Sequence, residues 1–168
     1  MIDPARPLPA TGTCFFTVRL QDCRSDLLVR RIGRLRQATR IALNAHPFRI
    51  DDIVVLPNAI HTIWTMPPAD TDVSRRWGLL KAYFSRGVAP PAHRHPAAIR
   101  SNDKGIWQRR FWSHPLSNTE DIATHRNLIY SAPVQAGLVD DPRQWPHTSL
   151  HRALKAGTWT LPRQVSAA

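Results

Sequence analysis

Cysteine is scarce in this chain of 168 residues: Cys14 and Cys23 are too few for a disulfide framework and are not spaced as C-x-x-C. We expect both thiols to be reduced, as in an intracellular protein. Long apolar runs are also missing, since the longest reach about ten residues, roughly half of a membrane-spanning helix. Residues 1–11 are rich in Pro and Ala and lack the apolar core of a signal peptide. These absences predict a cytoplasmic protein without a membrane anchor.

Acidic residues are few as well. The chain has 12 Asp and Glu against 23 Lys and Arg, which gives a formal net charge of +11. Such an excess of positive charge indicates the kind of partner and does not determine the fold. The commonest polyanions in a cell are nucleic acids. Because 42% of the residues are hydrophobic, the chain is not a disordered basic tail. A ribosome-like scaffold, a membrane-surface protein and plain solubility are the alternatives to a nucleic-acid-binding domain.

The distribution of apolar residues predicts both strands and helices. Residues 13–21 combine aromatic and β-branched side chains, which is typical of a strand. In the following segment Leu28, Ile32 and Leu35 recur at the spacing of one helix face. The other predicted elements are strands at 48–56 and 60–66, helices at 71–85, 117–131 and 149–156, and a long loop at 86–105. This order predicts an α+β domain with helices packed on an antiparallel sheet.

Capping residues and helix breakers suggest where the helices begin and end. Pro47 is expected to end a first helix that starts near Ser25. Residues 117–120 read as a capping box that opens the third helix, and Pro133 and Gly137 are expected to stop it. The domain boundaries predicted from these elements are an N-terminal extension at 1–12, one domain at 13–160 and a C-terminal tail at 161–168.

Three segments combine basic with aromatic residues. Guanidinium groups grip phosphates and aromatic rings stack on unpaired bases, so such segments are typical of proteins that bind single strands or hairpins. The first helix carries Arg30, Arg31, Arg34, Arg36 and Arg40. From the other two segments, the residues predicted to contact nucleic acid are Arg75, Arg76, Lys81, Arg86, Trp107, Gln108, Arg109, Arg110 and Trp112. The alternative is that the tryptophans are core and the arginines a solvated rim, and for Trp77 the helical spacing favours the core.

Several stretches resemble the REP-associated tyrosine transposases, in the same order along the chain. They are HPFRIDDIVVLP (46–57), LPNAIHTIWTMPPADTDVSRRWGLLKAYFSR (56–86), GIWQRRFWSH (105–114) and APVQAGLVDDPRQWPHTSLHR (132–152). The likeness extends over about residues 13–160. This family consists of bacterial relatives of the single-strand insertion-sequence transposases. Its active site is of the HUH type, in which two histidines flank a hydrophobic residue.

The resemblance implies a fold, a chemistry and a partner. The fold is ferredoxin-like or RRM-like, with helices on one face of an antiparallel sheet that bears the two histidines. The histidines hold Mg²⁺ or Mn²⁺, which polarises the scissile phosphate, and a tyrosine on a helix attacks to give a 5′-phosphotyrosine link. The DNA partner is a hairpin formed by a REP-like palindrome with flanking single-stranded DNA. The resemblance further implies a monomer associated with the bacterial nucleoid.

Two motifs of the family are altered in this chain. In the strand motif Pro57-Asn58-Ala59-Ile60-His61, the second histidine is present as His61, whereas Ala59 stands at the first. In the helix motif 128–134, Leu128 occupies the nucleophile position and Ala132 the position of a further metal ligand. Because a methyl group offers no lone pair to a metal, we expect no bound metal and no strand cleavage.

Other residues could replace the lost groups. Tyr130 lies two positions beyond Leu128, about 200° around a helix, so its hydroxyl is expected to point away from the Leu128 face. His93 and His95 form an H-x-H in the Pro-rich loop, which is a weak metal motif by itself. His61 alone is better explained as a structural histidine or a DNA contact. Three hypotheses stay open: an inactive DNA-binding member of the family, an active nickase using Tyr130, and a basic RNA-binding or protein-partner domain.

Overall fold

Four antiparallel strands form the sheet around which the chain is organised. A computed structural model describes residues 12–68, 70–91 and 103–160. The strands are β1 (Thr13–Arg19), β2 (Arg49–Val55), β3 (Ala59–Thr65) and β4 (Trp112–Pro115), and they lie side by side in the order β2-β3-β1-β4. With helices after β1 and β3, this is the ferredoxin-like order, so the predicted α+β class is confirmed.

The helices follow the predicted order. They are α1 (Leu27–Arg30), α2 (Ile32–Ala45), α3 (Val73–Ser85), α4 (Thr119–Gln135) and α5 (Leu150–Lys155), with a short 3-10 helix at Pro142–Gln144. The single helix predicted from Ser25 to Ala45 is broken at Arg31, whose backbone is not helical. None of the helices in the described ranges is long and apolar enough to cross a membrane.

Alternate side chains of β1 enter two separate cores. Phe16 faces α2 and α3, where it meets the stacked indoles of Trp64 and Trp77, whose centroids are 4.1 Å apart. Phe15 faces the opposite side and packs with Ile129 of α4. Helices therefore cover both faces of the sheet, which corrects the expectation of helices on one face. The reason is that β1 and β3 are apolar on both sides, as in a strand buried between two layers.

Strand β4 was missed by the sequence prediction. Its four residues pair with Cys14–Thr17 of β1, about a hundred positions earlier in the chain. The preceding segment joins the sheet through a bridge between Trp107 and Leu20. The basic-aromatic stretch 105–112 is thus fixed along the end of β1 before it continues into β4.

Helix α4 is longer than predicted. Its N-cap is Asn118, whose side chain accepts a hydrogen bond from the Asp121 amide at 2.8 Å, so the cap lies one residue after the predicted Ser117. Pro133 lies inside the helix and does not stop it. The end comes at Gly137, where a φ of +67° and bonds from Gly137 and Leu138 to the preceding turn form a Schellman motif.

A bulge in β2 determines what faces α4. The register shifts between Ile50 and Asp52, so that Asp51 is the extra residue and Asp52 points to the α4 side of the sheet. The outer edge of β2 is covered by the segment before α5, because the Val55 amide donates to the His147 carbonyl and the Ser149 amide donates to the Ile53 carbonyl. This covering removes the free edge of β2.

The division into 1–12, 13–160 and 161–168 stays a prediction, since 1–11 and 161–168 lie outside the described residues.

Candidate functional site

A cleft of about 590 Å³ opens between the sheet and α4. Each of the strands β1, β3 and β4 contributes side chains to it from the α4 side, and α4 supplies the opposite wall. The lining includes Thr17, Arg19, His61, Trp112, Leu128 and Ala132. The strand and helix motifs singled out in the sequence therefore meet at one place. Of the predicted catalytic and metal positions, His61, Leu128 and Ala132 line this cleft.

His61 is a buried imidazole with a protein partner. Its side chain is 8% exposed, and its Nδ1 lies 2.8 Å from the hydroxyl oxygen of Thr17 on the neighbouring strand. Burial lowers the pKa of His61 from 6.5 to about 4, and the charge of Arg19 adds to this effect. The imidazole is therefore neutral at physiological pH.

The residues around His61 do not fit a Mg²⁺ or Mn²⁺ ion. Ala59 has no exposed surface and packs in the core with Ile129, while Ala132 is 6% exposed. Both positions present methyl groups, and Leu128 presents an isobutyl group that is 39% exposed at the cleft. Hard divalent cations require several oxygen ligands, so one imidazole beside apolar groups is a poor match.

Tyr130 lies in the core and not in the cleft. The residue is 1% exposed, and its hydroxyl donates a short hydrogen bond to the Asp52 carboxylate. The other oxygen of that carboxylate pairs with Arg126 at 2.8 Å. Burial raises the pKa of the Tyr130 phenol above its ordinary value, and the bond to Asp52 raises it further. Its surroundings stabilise the protonated phenol, which is the opposite of an activated nucleophile.

A basic groove of about 530 Å³ lies between α3 and the segment 103–109. Lys81, Arg86, Lys104, Gln108 and Arg109 line it. Two of these cations already have backbone partners. The Lys81 ammonium donates to the Gln108 carbonyl at 3.0 Å, and burial lowers its pKa to about 8. The Lys104 ammonium donates to three carbonyls at the end of α3, including that of Ser85 at 2.8 Å.

Two residues predicted to contact nucleic acid are buried in the structure, so the prediction was wrong for Arg76 and Trp107. Arg76 has no exposed surface: its guanidinium pairs with Asp70 at 3.1 Å and donates to the Pro47 carbonyl at 2.8 Å. Trp107 is 7% exposed and its indole N–H donates to Ser85 at 3.1 Å. Both side chains join α3 to neighbouring segments through these bonds, and their burial removes them from contact with a nucleic acid.

The other predicted contact residues are at the surface. Arg75, Arg86, Arg109 and Arg110 are exposed, Gln108 is partly exposed, and Trp112 is 43% exposed. The segment 108–112 runs from the basic groove to the cleft, because Gln108 lines the first and Trp112 lines the second.

Among the first-helix arginines, Arg34 donates from Nε to the Phe84 carbonyl at 2.8 Å, which provides a hydrogen-bond partner for a carbonyl in the last turn of α3.

One cluster was missed by the sequence prediction. His114 of β4 and Asp121 and His125 of α4 bring possible ligand atoms within 4.8 Å of one another. The four-residue spacing of Asp121 and His125 would have placed them on one helix face, but β4 was not recognised, so nothing pointed to His114. The H-x-H of His93 and His95 lies outside the described residues.

A ferredoxin-like sheet whose central histidine faces a helix across a cleft is the arrangement expected of an HUH-type transposase. No protein-family model matches the chain. A REP-associated tyrosine transposase of Escherichia coli is 38% identical over 150 residues, which cover 89% of this chain and 83% of that protein. A Haemophilus influenzae protein with the same family name is 34% identical over 146 residues, which cover 86% and 83%.

A solved structure shows the same likeness. It is described as a REP-associated tyrosine transposase bound to a REP hairpin and matches with a TM-score of 0.80 at 36% identity, covering 95% of this chain and 89% of that one. The chain belongs to the REP-associated tyrosine transposase family. The resemblance found in the sequence is thereby confirmed.

The Tyr130 hydroxyl should contribute to stability. Tyr130→Phe removes the phenol donor from the buried Asp52 carboxylate, so the free energy of unfolding should fall by about 1–3 kcal/mol. Tyr83→Phe is the matched control, because Tyr83 is the other tyrosine of the chain and its ring, which lies over Arg86, is kept. Urea unfolding of the two variants measures the difference. Equal stabilities would contradict a stabilising bond to Asp52.

His61 should make stability depend on pH. Since the pKa is about 4 in the folded protein and 6.5 is the ordinary value, the unfolded chain takes up the proton first as pH falls. Stability should therefore decrease between pH 6.5 and 4, and this group should contribute a loss of about 2 kcal/mol between pH 7 and pH 5. In His61→Gln that contribution should vanish, as measured by urea unfolding at both pH values. A loss identical to the wild type would show that His61 titrates normally.

Proposed function

We propose that this protein binds hairpin or single-stranded DNA and does not cut it. The observation that carries the proposal is the composition of the cleft. There His61 meets Leu128 and Ala132, with Ala59 buried beside them. Cleavage of a phosphodiester by this family's chemistry needs an attacking oxygen and a cation to polarise the phosphate. None of these four side chains carries a hydroxyl that could attack. Of the four, His61 alone carries an atom that can bind a metal.

Three observations support DNA as the partner. The related structure is described as bound to a REP hairpin, and the net charge of this chain is +11. Exposed Arg109 and Arg110 stand beside the exposed ring of Trp112 on one short segment. A nucleic-acid strand following that segment would meet cations for its phosphates first and then an aromatic face for an unpaired base.

The proposal includes the state and place in which the protein acts. We infer a monomer that works in the cytoplasm on nucleoid DNA, with REP-like palindromes as its targets. Support comes from the family and from the charge, which favours association with a polyanion. Size-exclusion chromatography with light scattering measures the mass of the free protein, and a mass of twice 19.0 kDa would contradict the monomer.

Binding should depend on salt and on the exposed arginines. Arg109→Gln and Arg110→Gln should each weaken hairpin binding at least roughly threefold and reduce the slope of log affinity against log salt by about one, since each removes one phosphate contact. Arg143→Gln is the matched control, because Arg143 is exposed on the 3-10 helix and pairs with Asp141 there. Fluorescence anisotropy with a labelled hairpin measures both quantities. Equal effects of all three substitutions would contradict a specific contact surface.

Competition separates DNA from the other macromolecular partners. Unlabelled hairpin DNA should displace the labelled hairpin at lower concentration than duplex DNA or RNA of the same length. If RNA competes as well as or better than hairpin DNA, the protein is instead a basic RNA-binding domain. Each arm is run at the same ionic strength, because affinities for nucleic acids compare only at fixed salt.

Cleavage should be absent. Incubation of the protein with hairpin DNA and Mn²⁺ should leave the DNA intact on a denaturing gel and give no protein–DNA band that survives detergent. The expectation follows from the missing nucleophile and ligands at Leu128, Ala59 and Ala132. A covalent adduct would contradict it. If such an adduct disappeared in Tyr130→Phe but not in Tyr83→Phe, Tyr130 would be the nucleophile after all.

A further inference from the structure

Three side chains outside the cleft converge between β4 and α4. The Nε2 atom of His114 lies 3.3 Å from one carboxylate oxygen of Asp121, and Nδ1 of His125 lies 3.1 Å from the other. The two imidazole rings stack with their centroids 4.7 Å apart. One ligand atom from each residue falls within 4.8 Å of the others. None of the three lines the cleft around His61.

These separations suit a small tetrahedral ion. Two ligands that each lie about 2.0–2.1 Å from a tetrahedral zinc are about 3.3–3.4 Å from one another. The 3.3 Å between His114 Nε2 and the Asp121 carboxylate is close to that value. The ligand atoms lie within 4.8 Å of one another, so the widest pair has to close by at most about 1.4 Å. Two imidazoles and one carboxylate are ligands that Zn²⁺ and similar late transition ions accept, whereas Mg²⁺ prefers oxygen alone. We propose that His114, Asp121 and His125 bind one Zn²⁺ ion.

The surroundings hold the three side chains in position. One tautomer of His125 donates from Nδ1 to the main-chain oxygen of Asp121 at 2.9 Å, which leaves the lone pair on Nε2, as is usual for a metal-binding histidine. The ring of His125 packs against Phe15 at 4.8 Å, and Trp112 stacks on His114 with planes 5° apart. These packing contacts already restrict the rotation of the two imidazole rings, so the rings lose less conformational freedom when they bind a metal ion.

The acidic member of the cluster is ionised. Desolvation raises the pKa of Asp121, but hydrogen bonds from the Ser117 amide and from His114 lower it more, so that the pKa lies below its ordinary value. An anionic carboxylate between two imidazoles is the charge state that a divalent cation needs. The His114 side chain is 39% exposed, so water from the solvent can fill the remaining coordination positions.

The ion would join the short edge strand β4 to the first turns of α4. Strand β4 has four residues and, among the described strands, pairs with β1. A metal that binds the folded chain stabilises it in proportion to the logarithm of its concentration over the dissociation constant. This role concerns the architecture beside the cleft and is independent of the proposed DNA binding and of the absent cleavage.

Zinc titration of the untagged full-length protein tests the site. After removal of metals with a chelator, the protein competes for Zn²⁺ with a chromophoric chelator. We expect one ion per chain, and a binding constant at least tenfold weaker in His114→Gln, Asp121→Asn and His125→Gln. His61→Gln and the double variant His93→Gln/His95→Gln are the controls and should bind as the wild type does. Zinc should raise the Tm of the wild type and of the two control variants, and it should not raise the Tm of the three ligand variants.

A second measurement does not depend on the folding of any variant. Diethyl pyrocarbonate modifies accessible imidazoles, and mass spectrometry maps the products in the wild-type protein. Zinc should protect His114 and His125 but not His151, which is not a member of the cluster and whose Nε2 lies 2.9 Å from the Trp145 carbonyl oxygen. Absence of zinc binding at micromolar concentration would overturn the proposal. So would unchanged affinity in His114→Gln and His125→Gln, loss of binding in either control, or zinc protection that omits the two histidines.

Discussion

The placement of α4 depends on one buried carboxylate, that of Asp52. The side chain is 4% exposed, and an ionised group so removed from water is costly unless it is hydrogen-bonded. Two residues of α4 meet this requirement: Tyr130 donates its hydroxyl and Arg126 pairs through its guanidinium. Because they are one helical turn apart, they fix both the depth and the rotation of the helix over β2. The bulge at Asp51 is what turns the carboxylate toward them.

With α4 in this position, one side of the helix contributes residues to both the cluster at His114 and the cleft at His61. Asp121, His125, Leu128 and Ala132 recur at four, three and four residues, so they follow one side of the helix. The N-terminal pair meets His114 and forms a polar cluster. The C-terminal pair meets His61 and forms an apolar wall. Tyr130 lies on the other flank, which is why a tyrosine two positions from the family's nucleophile has its hydroxyl outside the cleft.

Elements that depend on local pattern were predictable from the sequence, and elements that depend on distant contacts were not. β1, β2, β3 and α3 lie where composition and periodicity placed them. β4 could not be recognised, because four residues carry little pattern and their partners in β1 are far away in the chain. Helix α4 continues past Pro133 because burial of Ile129 and Ala132 outweighs the lost hydrogen bond, which is a tertiary effect.

The candidate site shows the same division. Motif spacing was enough to bring His61, Leu128 and Ala132 into one cleft. It could not distinguish exposed from buried members of a basic-aromatic cluster, because Arg76 and Arg75 are neighbours in sequence and opposite in exposure. The cluster of His114, Asp121 and His125 is shared between a strand and a helix. Its signal exists only after β4 and α4 are packed together.

Binding and cutting depend on different parts of this fold, and that separation makes the proposed loss of cleavage physically reasonable. The exposed Arg86 caps the C-terminal end of α3 and Arg109 lies in the segment before β4, whereas Ala59 and Ala132 are core residues on the other side of the sheet. A histidine at position 59 would be a buried polar group that needs a metal or a hydrogen bond to offset its desolvation. The alanine found there lies in the same buried apolar cluster as Ile129 and has no such requirement. Alanine at positions 59 and 132 needs no metal or hydrogen bond and leaves the cationic surface untouched, so DNA binding would persist without the chemistry, as proposed.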